Sequence, residues 1–117
     1  MSSSPPTPTE KEECIAFVDW MDLRGLKFSH LAQSTFTKSF SVMRRNKQMG
    51  VRRGVPDYLI ILPACKGLLF IEMKRTKRGV VSPEQQDWLN ELNTLDGVEA
   101  AVCKGAAEAI SKVETYL

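Results

Sequence analysis

The sequence predicts an α/β domain in which a mixed β-sheet is flanked by helices. Three observations predict it. Two apolar runs, Asp57–Leu62 and Gly67–Lys74, are joined by a short connection and read as an antiparallel hairpin. Helix-start signals stand at Thr9 and at Ser82-Pro83, far apart in the chain. Between and beyond them the patterning runs helix, strand, helix, strand, strand, helix, strand, helix, with no internal repeat.

Taken in order, Ser2 to Thr9 holds three prolines and five Ser/Thr residues and no apolar side chain, so residues 1–9 read as a flexible tail and residues 10–117 as one domain. Cys14, Phe17, Val18 and Met21 recur at helical spacing from Glu10, with Thr9 to cap the start and Gly25 to end it. Leu26 to Gln33 alternates loosely as a strand. Thr35 to Met49 places Phe36, Phe40 and Met43 four and three apart and reads as a second, basic helix. Gly50, Gly54 and Pro56 then break regular structure before the strand Asp57–Leu62, which Pro63 closes. Lys66-Gly67 marks the turn into the strand Gly67–Lys74. Ser82 caps the next helix with Pro83 first and Gln85 third, a capping-box start. That helix should run to about Leu95, with Trp88, Leu89 and Leu92 on one face. Gly97 ends it, Val98–Cys103 is a third buried strand, and Ala106–Leu117 is a closing helix.

With 117 residues, 43% apolar content and 26% charged residues, the chain has the composition of one globular core without disulfide or metal staples. The longest apolar run, Tyr58–Leu62, falls far short of the roughly 20 residues that span a bilayer, and the amino terminus is not a basic segment leading into an apolar one. No membrane partner is expected. Cys14, Cys65 and Cys103 are odd in number and never in a C-x-x-C pair, so they read as reduced thiols used for packing in an intracellular protein.

The net charge of +2 hides a segregation. Arg44, Arg45, Lys47, Arg52, Arg53, Lys66, Lys74, Arg75, Lys77 and Arg78 lie in one stretch whose only acids are Asp57 and Glu72. Such a field suits a polyanion, or it is a solvated basic face. Acids inside a phosphate-attracting surface weaken it, so their presence asks for another reason. A divalent cation is one.

Asp57 opens the first hairpin strand, and Glu72 and Lys74, two apart near the end of the second, share a face while Met73 points away. Antiparallel pairing then brings Asp57 beside both. Two carboxylates and an intervening backbone carbonyl offer hard oxygen ligands to Mg²⁺ or Mn²⁺, which can activate a water for attack, with Lys74 orienting that water or balancing phosphoryl charge. The alternative is a surface Glu72–Lys74 ion pair and a turn aspartate after Pro56.

Gly54-Val55-Pro56-Asp57, then Glu72-Met73-Lys74, then Ser82-Pro83-Glu84-Gln85 with Trp88 resembles the virus-type replication-repair nuclease (VRR-NUC) family of the PD-(D/E)xK superfamily, over about Glu10 to Leu117. The resemblance implies a restriction-endonuclease-like core and a Mg²⁺- or Mn²⁺-dependent phosphodiesterase acting on DNA. Asp57, Glu72 and the Met73 carbonyl are then metal ligands and Lys74 the catalytic lysine. The family also places a first-helix glutamate near the metal, usually through water. Glu10 is favoured over Glu13 for that role, although Cys14 stands where the family shows a glutamine; both acids also suit the first turn of a helix. Gln85 matches the family's glutamine, able to bond a ligand carboxylate, while its local reading is a cap.

Small stand-alone phage and bacterial members resemble dimeric resolvases of four-way (Holliday) junctions in DNA repair, so a homodimer on branched DNA is expected. Phe36, Phe40 and Met43 are candidates for its interface, or else core. Arg44, Arg45, Lys47, Arg52, Arg53, Arg75, Lys77 and Arg78 are the expected phosphate contacts, and His30 is a further DNA contact or a polar strand residue. Trp88 reads as core rather than as a stacking platform. Two other functions compete: a DNA-binding module that does not cleave, and a nicking or restriction-type nuclease that reads sequence.

Overall fold

The computed structural model describes residues 6–31, 39–77 and 79–117. Its elements follow the expected order: α1 (Glu10–Leu23), β1 (Lys27–His30), α2 (Phe40–Gln48), β2 (Tyr58–Leu62), β3 (Gly67–Lys74), α3 (Pro83–Leu92), β4 (Val98–Lys104) and α4 (Ala106–Glu114). Residues 1–5, Phe36 and Arg78 lie outside the described residues, as does the expected start of the second helix at residue 35.

α1 starts where Thr9 and Glu12 exchange hydrogen bonds, each 3.1 Å, between the side chain of one and the backbone N–H of the other. It ends at Arg24, followed by Gly25 at φ +67°. The sheet order is β1-β2-β3-β4, antiparallel at the first two pairings and parallel at the last. A parallel pair needs a crossover, and α3 supplies it.

Alternation along β3 separates two faces. Leu69, Ile71 and Met73 are fully buried in a core shared with Phe17 and Met21 of α1, Ile60 of β2, and Ala109 and Val113 of α4. Glu72 and Lys74 take the other face. This division puts the apolar packing behind the strand and its ionisable groups in front.

The hairpin turn is centred earlier than Lys66-Gly67. Leu62 pairs with Gly67, leaving Pro63–Lys66 as the loop, with Ala64 and Cys65 both at φ +57°. Gly67 is needed for another reason: a Cβ there would stand 1.9 Å from the Gly97 carbonyl oxygen, where the chain leading into β4 crosses. Cys65 is exposed on this loop, so it is not a packing residue, whereas Cys103 is buried.

α3 stops at Leu92 rather than Leu95, because the Asn93 side chain bonds both the N–H and the carbonyl of Ala100, at 2.9 Å each, and turns the chain into β4. α4 likewise ends at Glu114, short of Leu117. The largest departure is α2, which buries no residue: Phe40 is 79% and Met43 38% exposed, so neither is core. A helix bearing Arg44, Arg45 and Lys47 cannot enter an apolar interior without stranding charge, and α1 and α4 already cover the core face of the sheet. No described helix is long and apolar enough to cross a membrane.

Candidate active site

The β2–β3 register determines what meets at the open end of the hairpin. Tyr58 pairs with Ile71, so Asp57, one residue before β2, lies level with Glu72. The Asp57 carbonyl accepts from the Leu31 N–H at 2.7 Å, and its carboxylate Oδ2 accepts from the Met73 N–H at 2.7 Å. Within a strand a residue's N–H and C=O point to the same edge, so the Met73 carbonyl faces the Asp57 side too.

Glu72 is 4% exposed. Its Oε1 accepts from Gln85 Nε2 at 2.6 Å and stands 3.6 Å from Lys74 Nζ. Its Oε2 is buried with no hydrogen-bond partner among the described residues. Burial first, and the neighbouring Asp57 charge second, push the Glu72 carboxyl up to about 7, against the opposing pull of Lys74. Asp57 is also raised by burial, opposed by the Met73 N–H and by the charges of His30 and Lys74. Two carboxylates held together in this way lack positive charge.

Gln85 has two roles at once. Its side-chain oxygen accepts from the Ser82 N–H at 2.9 Å and its own N–H donates to Ser82 Oγ at 3.1 Å, completing the α3 capping box, while its amide nitrogen reaches Glu72. The start of α3 is therefore wired to the acid. Gly54 brings the Pro-Asp loop against the same helix end: at φ +94° a Cβ would lie 2.6 Å from the Glu84 backbone. Trp88 is half-buried and donates its indole N–H to the Arg53 carbonyl at 3.0 Å, so it ties this loop down instead of filling the core.

Asp57, Glu72, Lys74, Gln85 and Gly54 line a cleft of about 440 Å³ that also includes His30, Arg53, Val80, Ser82 and Glu84. Gly54 and Trp88 were visible in the sequence motif but their docking function was not; the Gly-x-Pro-Asp spacing was its only sign. Val80 carried no signal that set it apart, and Glu84 only its place in the Ser82-Pro83-Glu84-Gln85 string.

The other expected residues are dispersed. Glu10 borders a neighbouring hollow with Cys14, His30 and Tyr58, and its charge reaches Glu72. Glu13 instead accepts from Thr76 Oγ1 at 3.0 Å. The His30 ring lies 5.1 Å from that of Tyr58. Arg44, Arg45 and Lys47 project from α2, Arg52 folds back toward the Lys47 carbonyl at 3.4 Å, Arg53 lines the cleft, and Arg75 and Lys77 are exposed beyond β3.

The donor set admits a test for a metal. Among the described residues no three His, Cys, Asp or Glu side chains converge closely enough to enclose an ion. Asp57, Glu72 and the Met73 carbonyl are a partial, all-oxygen set, and the buried Glu72 Oε2 is an acceptor with no hydrogen-bonding partner among the described residues. That fits Mg²⁺ or Mn²⁺, which take oxygen ligands and keep several waters, and does not fit a closed zinc site.

Comparison with known proteins bears on the family and the fold. The VRR-NUC domain profile matches residues 6–107. A solved structure titled "VRR_NUC domain protein" superposes with a TM-score of 0.76 at 25% identity, covering 97% of this chain and 91% of the other. Another, titled "VRR_NUC domain", shares the fold with a TM-score of 0.66 at 19% identity, covering 92% and 97%. No curated protein matches the chain.

Proposed function

Because the chain belongs to the VRR-NUC family, and so is a nuclease domain of the PD-(D/E)xK type with DNA as substrate, we propose that it is a divalent-metal-dependent, structure-selective endonuclease. Its substrate is branched DNA, a four-way junction above all, and it works as a homodimer of the domain formed by residues 10–117. The observation that carries the metal-dependent reading is the Asp57–Glu72 pair, raised in pKa, with a buried Glu72 oxygen that has no partner among the described residues, in a cleft edged by cations.

In this reading Asp57, Glu72 and the Met73 carbonyl hold Mg²⁺ or Mn²⁺, with Glu10 acting through water. When bound, the ion supplies a Lewis acid that makes coordinated water more acidic and offsets phosphoryl charge. The chain's own groups fix the geometry. The Met73 N–H holds Asp57 Oδ2, and Gln85 holds Glu72 Oε1, which reserves Oε2 for the ion. Lys74, beside Glu72, is the ammonium that orients the attacking water and stabilises the charge that grows on the phosphate oxygens. Arg44, Arg45, Lys47, Arg52, Arg53, Arg75, Lys77 and His30 position the DNA backbone without reading its sequence. A dimer is supported by size: a two-fold axis places two such sites on matched strands of a junction, which one domain of this length cannot grip alone.

The test is cleavage of labelled four-way junction, forked and linear duplex DNA in Mg²⁺ and in Mn²⁺, with Asp57→Ala and Lys74→Ala as controls. Metal-dependent cuts at the branch by the parent only are expected. Binding without a cut would make the chain a DNA-binding module, and cuts that follow base identity on linear duplex would make it a sequence-reading nuclease.

A further inference from the structure

Glu13 and Glu10 sit on the same helix, within one turn, yet the chain treats them differently. Glu10 is exposed, whereas Glu13 is half-buried and its Oε2 accepts the Thr76 hydroxyl across 63 residues of sequence. The space for that carboxylate is made by Gly105: a Cβ there would stand 2.2 Å from Glu13 Oε2 and 3.0 Å from Thr76 Oγ1. The Gly105 N–H in turn donates to the Lys74 carbonyl at 3.0 Å. α4 begins at Gly105 with no side-chain cap, so the Glu13 charge also stands at the positive end of that helix. Glu13 thus touches both segments that hold Lys74: the β4–α4 corner bonded to its carbonyl and the loop that follows it.

That loop leaves the Glu72-Met73-Lys74 strand at residues 75–77, carrying Arg75 and Lys77, and at Gly79 the chain lies against the strand end, where a Cβ would meet Lys74 Cβ at 2.8 Å. Its near end has one side-chain anchor among the described residues, the Thr76–Glu13 bond. We infer that Glu13 is a positioning residue that acts through Thr76, clamping the basic loop to the body of the domain so that Arg75 and Lys77 face DNA bound over Lys74. The role beside the ion stays with Glu10; the Glu13 oxygen turned toward Gly105 accepts from Thr76. The clamp stands on geometry alone; its effect on DNA rests on the nuclease reading, and the experiment separates the two.

Glu13→Ala, Glu13→Gln and Thr76→Val are compared with the parent by limited trypsin digestion, scoring cuts after Arg75 and Lys77 against cuts after Arg44 and Arg45 in the same sample. Losing one such hydrogen bond should raise the loop cuts roughly three- to tenfold in Glu13→Ala and Thr76→Val. Glu13→Gln keeps an oxygen acceptor and should stay within about twofold of the parent. The same two loosened variants should weaken binding of a labelled four-way junction in EDTA, and raise its KM in Mn²⁺, by roughly threefold or more with kcat nearly constant. Unchanged loop cutting in both would overturn the clamp. So would a Glu13→Gln protein that loses the thermal stabilisation given by Mn²⁺, since that assigns Glu13 to the ion. Altered loop cutting in variants of a parent that neither binds nor cuts DNA would uphold the clamp and overturn the nuclease reading.

Discussion

The open end of the β2–β3 hairpin holds a buried and a half-buried acid and the helix α2 an exposed cluster of bases, and they are built in opposite ways. At the hairpin every acid is held: Asp57 by a strand N–H, Glu72 by Gln85 and Lys74, with Met73 sealed into the core between them. α2 offers Arg44, Arg45 and Lys47 with no residue buried, in a stretch without a single acid between Asp22 and Asp57. The difference matches what the proposed function asks of each. Bond cleavage needs groups fixed to tenths of an ångström in a site shielded from water, whereas contact with a polyanion is long-range and tolerant of side-chain motion. Packing is concentrated where precision is required.

The comparison breaks if damage to either region has the same effect. Asp57→Ala should lower the cleavage rate roughly a thousandfold and Lys74→Ala roughly a hundredfold, while junction affinity measured in EDTA changes little. Removing Arg44, Arg45 and Lys47 together should do the reverse. Affinity should fall on the order of tenfold for every DNA sequence alike, the slope of log affinity against log salt should flatten by roughly 2 to 3, and kcat at saturation should hold. Fluorescence anisotropy over a salt series and single-turnover cleavage report these separately. A triple variant with unaltered salt slope would remove α2 from the DNA surface.

How much of this could be read in advance also divides along the same line. The hairpin, the Thr9 and Ser82 caps and the meeting of Asp57 with Glu72 and Lys74 are local: strand alternation and one short turn determine them, and the Ser82-Pro83-Glu84-Gln85 string carries its own geometry. The exposure of α2 was not legible, since Phe40 and Met43 repeat at helical spacing whether or not anything covers them. The early end of α3 depends on Asn93 meeting Ala100, and the separation of Glu10 from Glu13 depends on Thr76 and Gly105, both tertiary facts with no local sign. Gln85 shows the middle case: its cap was readable, its bond to Glu72 was only implied by family resemblance.

Metal binding sharpens the contrast from the hairpin side. An ion that binds the folded cleft and not the unfolded chain stabilises by mass action: about 1.4 kcal/mol at ten times its Kd, or roughly 5 °C for a domain of this size. Millimolar Mn²⁺ should therefore raise the melting temperature of the parent and of the α2 triple variant equally, and leave Asp57→Ala unmoved. A shift that survives Asp57→Ala would place the ion elsewhere.

The smallest effect is also the most specific to the hairpin. In the metal-free protein burial raises Glu72 from an ordinary 4.5 to about 7, so between these values the folded chain keeps a proton that the unfolded chain has released. Stability must then fall as pH rises through this window, and the penalty is complete above pH 7 and absent below pH 4.5. Asp57, raised in the same direction, adds to it, and the pair titrates as a unit. Glu72→Gln removes the ionisable group while keeping its shape. In EDTA its melting temperature should exceed the parent's by a few degrees at pH 8, with the gap closing toward pH 4.5. No such window is expected from α2, which carries no carboxylate. Parallel melting curves for parent and Glu72→Gln across pH 4.5 to 8 would mean that the carboxyl is solvated after all, and that the hairpin is no more desolvated than the helix it is contrasted with.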